Sequence, residues 1–202
     1  MLETDVLIVG SGPAGSTTAA LLSSYGVDNI LVTKYRWLSE TPRAHITNQR
    51  ALEVLRDLGV ENEAYFWGVP KELMGNNVFC TSLAGEELGR VRTWGTHPST
   101  SARHALASPT KMCDLPQNFL EPIVFGAACT RGTRARLHTE YLSLSQDASG
   151  VTATVKDRMT GEIYEIRAKY LIGADGGRSK VAEDIGLPLN TCFSSATVPS
   201  AA

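Results

Sequence analysis

Short, fully apolar runs alternate along this chain with segments of helical spacing. Residues 6–9 (VLIV) lead through a glycine-rich turn into an Ala/Leu-rich segment that ends at Gly26, and residues 29–33 (NILVT) form the next run. A third run, YLIGA at residues 170–174, comes late in the chain. Strands of parallel sheets are apolar throughout because helices cover both of their faces. The pattern therefore predicts an α/β domain, Rossmann-like, with a parallel sheet.

Two further segments predict helices packed against this sheet. Residues 48–58 carry leucines at helical spacing, and Gly59 ends the helix. Another helix follows the turn at residues 114–117, where Asn118 and Glu121 have the N-cap and N3 spacing of a capping box. Pro122 is then tolerated because it falls near the first turn. The core positions expected for this second helix are Leu120, Ile123, Val124 and Ala127.

Alternation of apolar and polar residues predicts antiparallel strands in two places. Residues 78–82 and 88–94 form a hairpin inserted between α/β units. Residues 141–146, 151–157 and 164–168 form a three-stranded meander. Three linked antiparallel strands do not belong to a simple doubly wound sheet, so we expect them as a separate layer that covers it.

Two segments lack any periodicity. Residues 96–109 are rich in Ser, Thr, Pro and His and predict a loop, in which His97 and His104 are expected to be exposed to solvent. Residues 190–202 (NTCFSSATVPSAA) predict an irregular tail because their composition cannot form a core.

Composition narrows the function classes. The chain has 202 residues, 43% hydrophobic and 20% charged, with a formal net charge of -2, which is typical of a soluble globular domain. Without a basic patch we expect neither nucleic acid nor an anionic membrane surface as a partner. No apolar run is long enough for a membrane span, and Glu3 stands where a signal peptide would be basic, so a cytoplasmic location is expected. The four cysteines and four histidines are dispersed, which predicts no metal site.

The glycine-rich turn carries the strongest chemical signal. Gly10-Ser11-Gly12-Pro13-Ala14-Gly15 directly follows a buried strand and opens a helix, as in dinucleotide-binding turns. In such a turn Gly10 reverses the chain, Gly12 lets a pyrophosphate approach the backbone, and Gly15 lets helix pack on strand. Free N–H groups at the helix start then face the phosphates. The alternative is a glycine-rich βα turn without a ligand.

Polar residues follow the next two strand ends. A dinucleotide site usually has an acid after the second strand to bind ribose, but this chain has Thr33 and Lys34. Thr33 is able to bond a ribose, while Lys34, Arg36 or Arg43 would reach phosphate or adenine. The connection at residues 35–47 lies where ligands bind in α/β sheets, which singles out Arg43, His45 and Gln49, unless these are solvated loop side chains. Asp175 and Gly176 follow the third apolar run and offer a carboxylate and close backbone to another part of the ligand.

Three phrases of the chain resemble one family. The three phrases are VTKYRWLSETPRAHITNQR, SPTKMCDLPQNFLEP and YLIGADGGRSKVAEDIG. The family is that of the FAD-dependent aromatic hydroxylases, the class A flavoprotein monooxygenases, and the resemblance is strongest to the bacterial chlorophenol hydroxylases within it. The resemblance implies that the ADP half of FAD is bound by Gly10, Gly12, Pro13, Ala14 and Gly15. It further implies that Asp175 and Gly176 help to hold FAD and to use NADPH, that Arg43 and Gln117 lie near the cofactor, and that His45 lies near the substrate.

The reaction implied by this resemblance is hydroxylation of a phenol or chlorophenol, ortho to its oxygen, to give a catechol. NADPH reduces FAD, and reduced flavin captures O2 as a C4a-hydroperoxide that attacks the ring. His45 is the residue expected to accept or relay the phenol proton, because imidazole titrates near neutral pH. Full-length relatives are expected to be homo-oligomers. The alternatives are a non-enzymatic FAD- or ADP-binding fragment, or an NAD-dependent dehydrogenase.

Departures from the family limit these expectations. Ala182 stands where many relatives have an arginine closing the Asp-Gly motif, and the later Gly-Asp motif that binds the ribityl chain is absent. We therefore expect residues 1–189 to be the amino-terminal portion of an FAD-binding domain, with residues 78–94 belonging to a partial substrate-binding sheet. Such a portion is expected to be incomplete and without hydroxylase activity.

Overall fold

The structure, a computed structural model, describes residues 2–187, so the tail expected at residues 190–202 lies outside it. Its helices are α1 (Pro13–Ser24), α2 (Gln49–Asp57), α3 (Glu61–Trp67), α4 (Pro98–Ala107), α5 (Gln117–Thr130) and α6 (Lys180–Asp184), with a 3-10 turn at Lys71–Leu73. Its strands are β1 (Leu2–Val9), β2 (Asn29–Val32), β3 (Ile46–Thr47), β4 (Val69–Pro70), β5 (Asn76–Cys80), β6 (Glu87–Arg92), β7 (Cys113–Asp114), β8 (Arg134–Arg136), β9 (Thr139–Asp147), β10 (Gly150–Asp157) and β11 (Ile163–Gly173).

One six-stranded sheet organises the domain, in the order β8-β2-β1-β11-β10-β9. The pairs β8–β2, β2–β1 and β1–β11 are parallel, whereas β11–β10 and β10–β9 are antiparallel. The α/β class with a largely parallel sheet is therefore confirmed. All three apolar runs of the sequence lie in this sheet, on the adjacent strands β2, β1 and β11.

The two faces of the parallel strands bury different partners. Val6, Ile8 and Leu31 pack against α1 and α5, which supply small buried residues such as Ala19 and Ala128. The opposite face packs against the meander and forms a second cluster, whose members include Leu7, Val9, Ile30, Val32, Tyr141, Ala153 and Val155. Alternate residues of one strand point to opposite faces, so both faces of β1 and β2 are apolar.

The meander covers one face of the parallel strands as expected, but it is not a separate layer. Residues 164–168 and 170–174, which the sequence assigned to different strands, lie on the single strand β11 or directly after it. The early part of β11 pairs with β10, and its later part pairs with β1, from Leu2↔Ile166 to Val9↔Gly173. The meander is therefore a continuation of the same sheet, which curves so that the meander covers one face of the parallel strands.

Three helices were missed. α3 and α6 were not predicted, and α4 occupies residues for which a loop was predicted. α4 has no buried residue, so its sequence lacks an apolar stripe. Its start is nevertheless marked, because Pro98 occupies the first turn and the exposed His97 accepts a hydrogen bond from the Ser99 N–H. His104 is half-buried rather than exposed, with its ring packed against Gly95.

The capping box predicted for α5 is wrong. The helix begins at Gln117 directly after Pro116, with no side chain capping it, and Asn118 is already its second residue. Pro122 consequently lies inside the helix rather than in its first turn. The Glu121 carboxylate accepts a hydrogen bond from Ser39, far away in sequence, rather than from Asn118. A long-range partner thus replaces the local one.

The remaining strands form two small sheets. β3, β7 and β4 form a three-stranded antiparallel sheet, and within the described part of the chain β5 and β6 pair only with each other. The hairpin was predicted, although its strands are shifted by two residues or fewer. Only Gly89 of its strand residues is even half-buried. Among residues 2–187, no helix has the length and hydropathy required to cross a bilayer.

The helix-facing core makes a testable contribution to stability. Leu31 in β2 has no exposed surface and belongs to this core. Leu31→Ala should lower the free energy of unfolding by about 2–5 kcal/mol, because the cavity cannot fully collapse. The matched control is Leu83→Ala in the turn of the hairpin, where the side chain is fully exposed and a change within about 0.5 kcal/mol is expected. Urea unfolding of both variants measures these changes, and an equal loss of unfolding free energy in the two variants would contradict the assignment of Leu31 to the core.

Candidate functional site

A cleft of about 950 Å³ lies at the carboxyl ends of β1, β2 and β11. It is the place where open α/β sheets bind ligands. Most of the predicted cofactor-binding residues line it, namely Gly10, Gly12, Pro13, Ala14, Thr33, Lys34, Arg43, Gln117, Asp175 and Gly176. Gly15 and His45 do not line it. The structure therefore brings together residues that are up to 166 positions apart in the sequence (176 − 10).

Packing requires glycine at the first and last positions of the turn. Gly10 has a φ of +111° and donates from its N–H to the Val32 carbonyl at 2.8 Å. A Cβ at Gly10 would lie 2.2 Å from the Ala174 carbonyl oxygen, and one at Gly15 would lie 1.9 Å from the Gly10 carbonyl oxygen. Side chains at either position would force the turn away from β11 or α1.

Gly12 is different because the protein leaves space around it. A Cβ there would meet only the Glu121 Oε1 atom, at 3.9 Å. Gly12 is the N-cap of α1, and no side chain caps this helix. The first N–H groups of the helix are therefore available to a ligand in the cleft, where the helix dipole favours an anion. The open backbone and uncapped helix fit the diphosphate of a dinucleotide.

Directly after β2, the backbone of the chain is hydrogen-bonded to neighbouring segments. Thr33 is buried, its N–H donates to the Arg136 carbonyl, and its carbonyl accepts from the Thr139 N–H. Lys34 is exposed, with its ammonium 5.5 Å from the centre of the Tyr35 ring. Basic and acidic side chains are mixed around the cleft, the basic ones being Lys34, Arg36, Arg43, Arg178 and Lys180.

Asp175 uses its carboxylate within the protein. It accepts hydrogen bonds from the Ser179 hydroxyl at 2.6 Å and from the Lys180 N–H at 2.8 Å, at the start of α6. Gly176 has a φ of +86°, and nothing lies within 4 Å of the position of a Cβ. The backbone of Gly176 is therefore the part of this motif that is free to contact a ligand. A ligand contact from the Asp175 carboxylate, which the sequence predicted, would compete with the hydrogen bonds of that carboxylate to the start of α6.

Sequence reasoning missed two groups that shape this cleft. Glu121, taken for a capping residue, is 4% exposed and lines the cleft beside Gln117, whose amide it binds. Tyr141 lines another wall and donates a hydrogen bond to Asp184 at 2.8 Å. Burial raises the pKa of Tyr141, and the Asp184 carboxylate raises it further, so the phenol stays protonated and holds the wall to α6.

His45 lies in a second hollow of about 730 Å³, beside the hairpin. Its Nδ1 is 2.9 Å from the Asp114 Oδ2, a partner that the sequence did not reveal. The pairing of β3 with β7 places the two residues together, since Ile46 lies opposite Asp114. Asp114 fixes one ring nitrogen and leaves Nε2 available, with the side chain 57% exposed. Ala44, with a φ of +35°, separates His45 from Arg43 of the cleft.

The other polar residue singled out from the sequence has a structural position. Gln49 lines neither hollow, and its amide donates to the carbonyls of His104 and Thr110. It thereby joins the start of α2 to the segment at and after α4. Within residues 2–187, no group of three or more His, Cys, Asp or Glu side chains is placed to hold a metal ion.

Comparisons with known proteins agree with this geometry. Residues 3–199 match the family described as "FAD binding domain". The chain is 60% identical over 189 residues to 2,4-dichlorophenol 6-monooxygenase from Delftia acidovorans, covering 94% of this chain and 32% of that protein. It is 58% identical over 193 residues to phenol 2-monooxygenase from Pseudomonas sp. (strain EST1001), covering 96% and 32%.

The chain belongs to the FAD-dependent aromatic monooxygenase family. Solved structures support this membership. The flavin-dependent monooxygenase PieE, in complex with FAD and substrate, matches with a TM-score of 0.89 and 43% identity over 92% of this chain and 32% of its own. Aklavinone-11 hydroxylase, with FAD and aklavinone, matches with a TM-score of 0.80 and 35% identity, covering 92% and 35%. The chain thus spans about a third of the length of these family members.

The different surroundings of the glycines predict different defects. Gly12→Val should leave the fold intact but abolish binding of FAD and ADP, because the side chain fills the space for the diphosphate. Gly15→Val should instead destabilise the protein by more than about 2 kcal/mol, since its Cβ collides with backbone. Isothermal titration with FAD and ADP and thermal unfolding separate the two defects. If folded Gly12→Val bound FAD and ADP with wild-type affinity, the diphosphate would have to bind at another place.

Proposed function

We propose that this chain supplies the cofactor cradle of a monooxygenase that hydroxylates phenols or chlorophenols beside the hydroxyl group, with NADPH as the reductant and O2 as the oxidant. The observation that carries the proposal is the open, uncapped turn at Gly12, in a chain 56–60% identical to phenol and dichlorophenol monooxygenases. FAD, when bound, supplies the activation of O2 and the transfer of one oxygen atom. Gly10, Pro13, Ala14 and the α1 N-terminus would hold its diphosphate.

The other residues of the cleft would hold the rest of FAD. Thr33 and Lys34 would contact the adenosine end, because they directly follow β2, the strand next to the one that leads into the diphosphate cradle. Arg43 and Gln117 stand together on the other wall, joined by the bond from the Gln117 N–H to the Arg43 carbonyl at 3.0 Å. Gly176 would offer close backbone at the end of β11.

His45 is the proposed proton acceptor for the phenol. Removing the phenol proton makes the ring carbons more nucleophilic, and this favours attack on an electrophilic oxygen. The Nδ1 contact with Asp114 at 2.9 Å orients the ring so that Nε2 is the nitrogen available to take the proton. The hollow beside His45 is lined by Trp94 and Val78, which are suited to an aromatic ring, and by polar groups such as Asn76 and Arg90.

The 202 residues by themselves are proposed to bind cofactor without hydroxylating. Both hollows are open to solvent, and the hairpin beside His45 is exposed on nearly every residue. Water reaching the reacting centre diverts activated oxygen to hydrogen peroxide. This exposure also favours the second candidate, a chain whose own activity is limited to binding FAD or ADP.

Ionisation of bound phenol tests the role of His45. We expect 2,4-dichlorophenol bound to the FAD-loaded chain to show the ultraviolet spectrum of the phenolate at pH 6.5, which is below the ordinary pKa of this phenol. His45→Ala should return the spectrum to that of the neutral phenol, and Asp114→Asn should do so in part. The matched control His97→Ala removes the exposed histidine at the N-cap of α4, far along the chain from His45. Phenolate bound equally by His45→Ala would exclude His45 as the acceptor.

Product analysis tests the proposed reaction of the chain itself. With FAD, NADPH and dichlorophenol supplied, any NADPH oxidation should yield hydrogen peroxide rather than catechol, because the reacting centre is not closed to water. Chromatography of the phenolic products and a peroxide assay give the ratio of catechol to hydrogen peroxide directly. Catechol formed in proportion to the NADPH consumed would show that these residues are sufficient for hydroxylation.

A further inference from the structure

Glu121 is a buried acid in the cleft without a cationic partner among residues 2–187. Burying a carboxylate is unfavourable unless hydrogen bonds compensate for lost water. Its Oε2 accepts from the Ser39 N–H at 2.6 Å, and its Oε1 accepts from the Gln117 side-chain amide at 2.5 Å. Both oxygens are thus engaged by neutral donors, one from the connection after β2 and one from the first turn of α5 itself.

The location of this carboxylate joins three walls of the cleft. Glu121 lies on α5, its Oε2 reaches the connection after β2, and its Oε1 is 3.9 Å from the position of a Cβ at Gly12. Residues 35–41 all line the cleft and contain neither helix nor strand. An irregular wall of this kind depends on anchors to stay in place, and the Ser39 N–H is its backbone link to α5.

Two simpler roles for Glu121 fit less well. A helix-capping role is excluded because α5 starts at Gln117 and has no side-chain cap. Direct contact with the diphosphate is unfavourable because like charges repel, and both carboxylate oxygens already accept hydrogen bonds. The carboxylate therefore acts on the ligand through the groups that it holds.

We propose that Glu121 is a positioning residue for the cofactor, which fixes residues 35–41 and the Gln117 amide at the distance from α1 that FAD requires. The inference rests on the proposed use of this cleft for FAD. Without the carboxylate, the Ser39 N–H loses its acceptor, residues 35–41 gain freedom, and binding has to order them again. Glutamine at this position keeps the volume and one acceptor, so it retains part of the function.

Hydrogen exchange and ligand affinity together test this role. In Glu121→Ala, amides of residues 35–41 should exchange at least tenfold faster in the ligand-free protein. The reason is that opening of this segment no longer requires the hydrogen bond between the Ser39 N–H and residue 121 to break. The Kd for FAD and for ADP, measured by titration well below the unfolding temperature, should rise at least tenfold. Glu121→Gln should lie between the wild type and Glu121→Ala in both measurements. The matched control Glu63→Ala removes an exposed acid of α3 and should change neither.

The outcomes separate this inference from the proposed function. Wild-type exchange and wild-type Kd in folded Glu121→Ala, or tighter FAD binding in either variant, would overturn the positioning role. If Glu121→Ala does not fold, the same two measurements on Glu121→Gln decide. A wild-type chain that binds neither FAD nor ADP would refute the cofactor site itself, whereas the exchange of residues 35–41 would still show whether Glu121 holds them.

Discussion

Parallel pairing of β1 with β11 is the interaction on which the site depends. It sets Val9 opposite Gly173, and the Ala174 N–H continues the pairing by donating to the Val9 carbonyl at 2.8 Å. The glycine turn after β1 and the Asp-Gly turn after β11 consequently leave the sheet side by side. Contact is so close that Gly10 admits no Cβ, because the Ala174 carbonyl occupies that space. Neither turn alone forms the cleft, since each provides only one of its walls.

Local patterns in the sequence predicted the parts of this arrangement that are determined locally. The apolar runs identified β1, β2 and β11, and the glycine spacing located the turn at Gly12, because strand burial and turn geometry act over a few residues. Long-range pairings were not accessible in this way. The bond from Ser39 to Glu121 and the contact of His45 with Asp114 join residues 82 and 69 positions apart (121 − 39 and 114 − 45). α4 was missed for another reason, since it buries no residue and therefore has no apolar stripe.

The two hollows differ in how completely this chain builds them. The cleft is bounded by the main sheet and by α1 and α5, which pack on the apolar core, and by residues 35–41, which the Ser39 N–H links to α5. The hollow at His45 is bounded on one side by a hairpin whose strands pair with no other strand among residues 2–187. This contrast agrees with what is known of the relatives, since the solved structures of PieE and aklavinone-11 hydroxylase both hold FAD, whereas the substrates named among the relatives, namely phenol, dichlorophenol and aklavinone, differ.

The position of β11 in the chain also constrains how the domain is made. β1 leaves the ribosome before the other strands of this sheet, but its partner on one side ends only at Gly173, more than 160 residues later. β1 can pair early with β2, which follows it closely, yet its other edge stays unpaired until β11 has been synthesised. Loop closure over such a distance makes this pairing slow. The apolar edge of β1 is therefore exposed while the residues between β1 and β11 are made, and chaperones that shield such edges have a long opportunity to bind it.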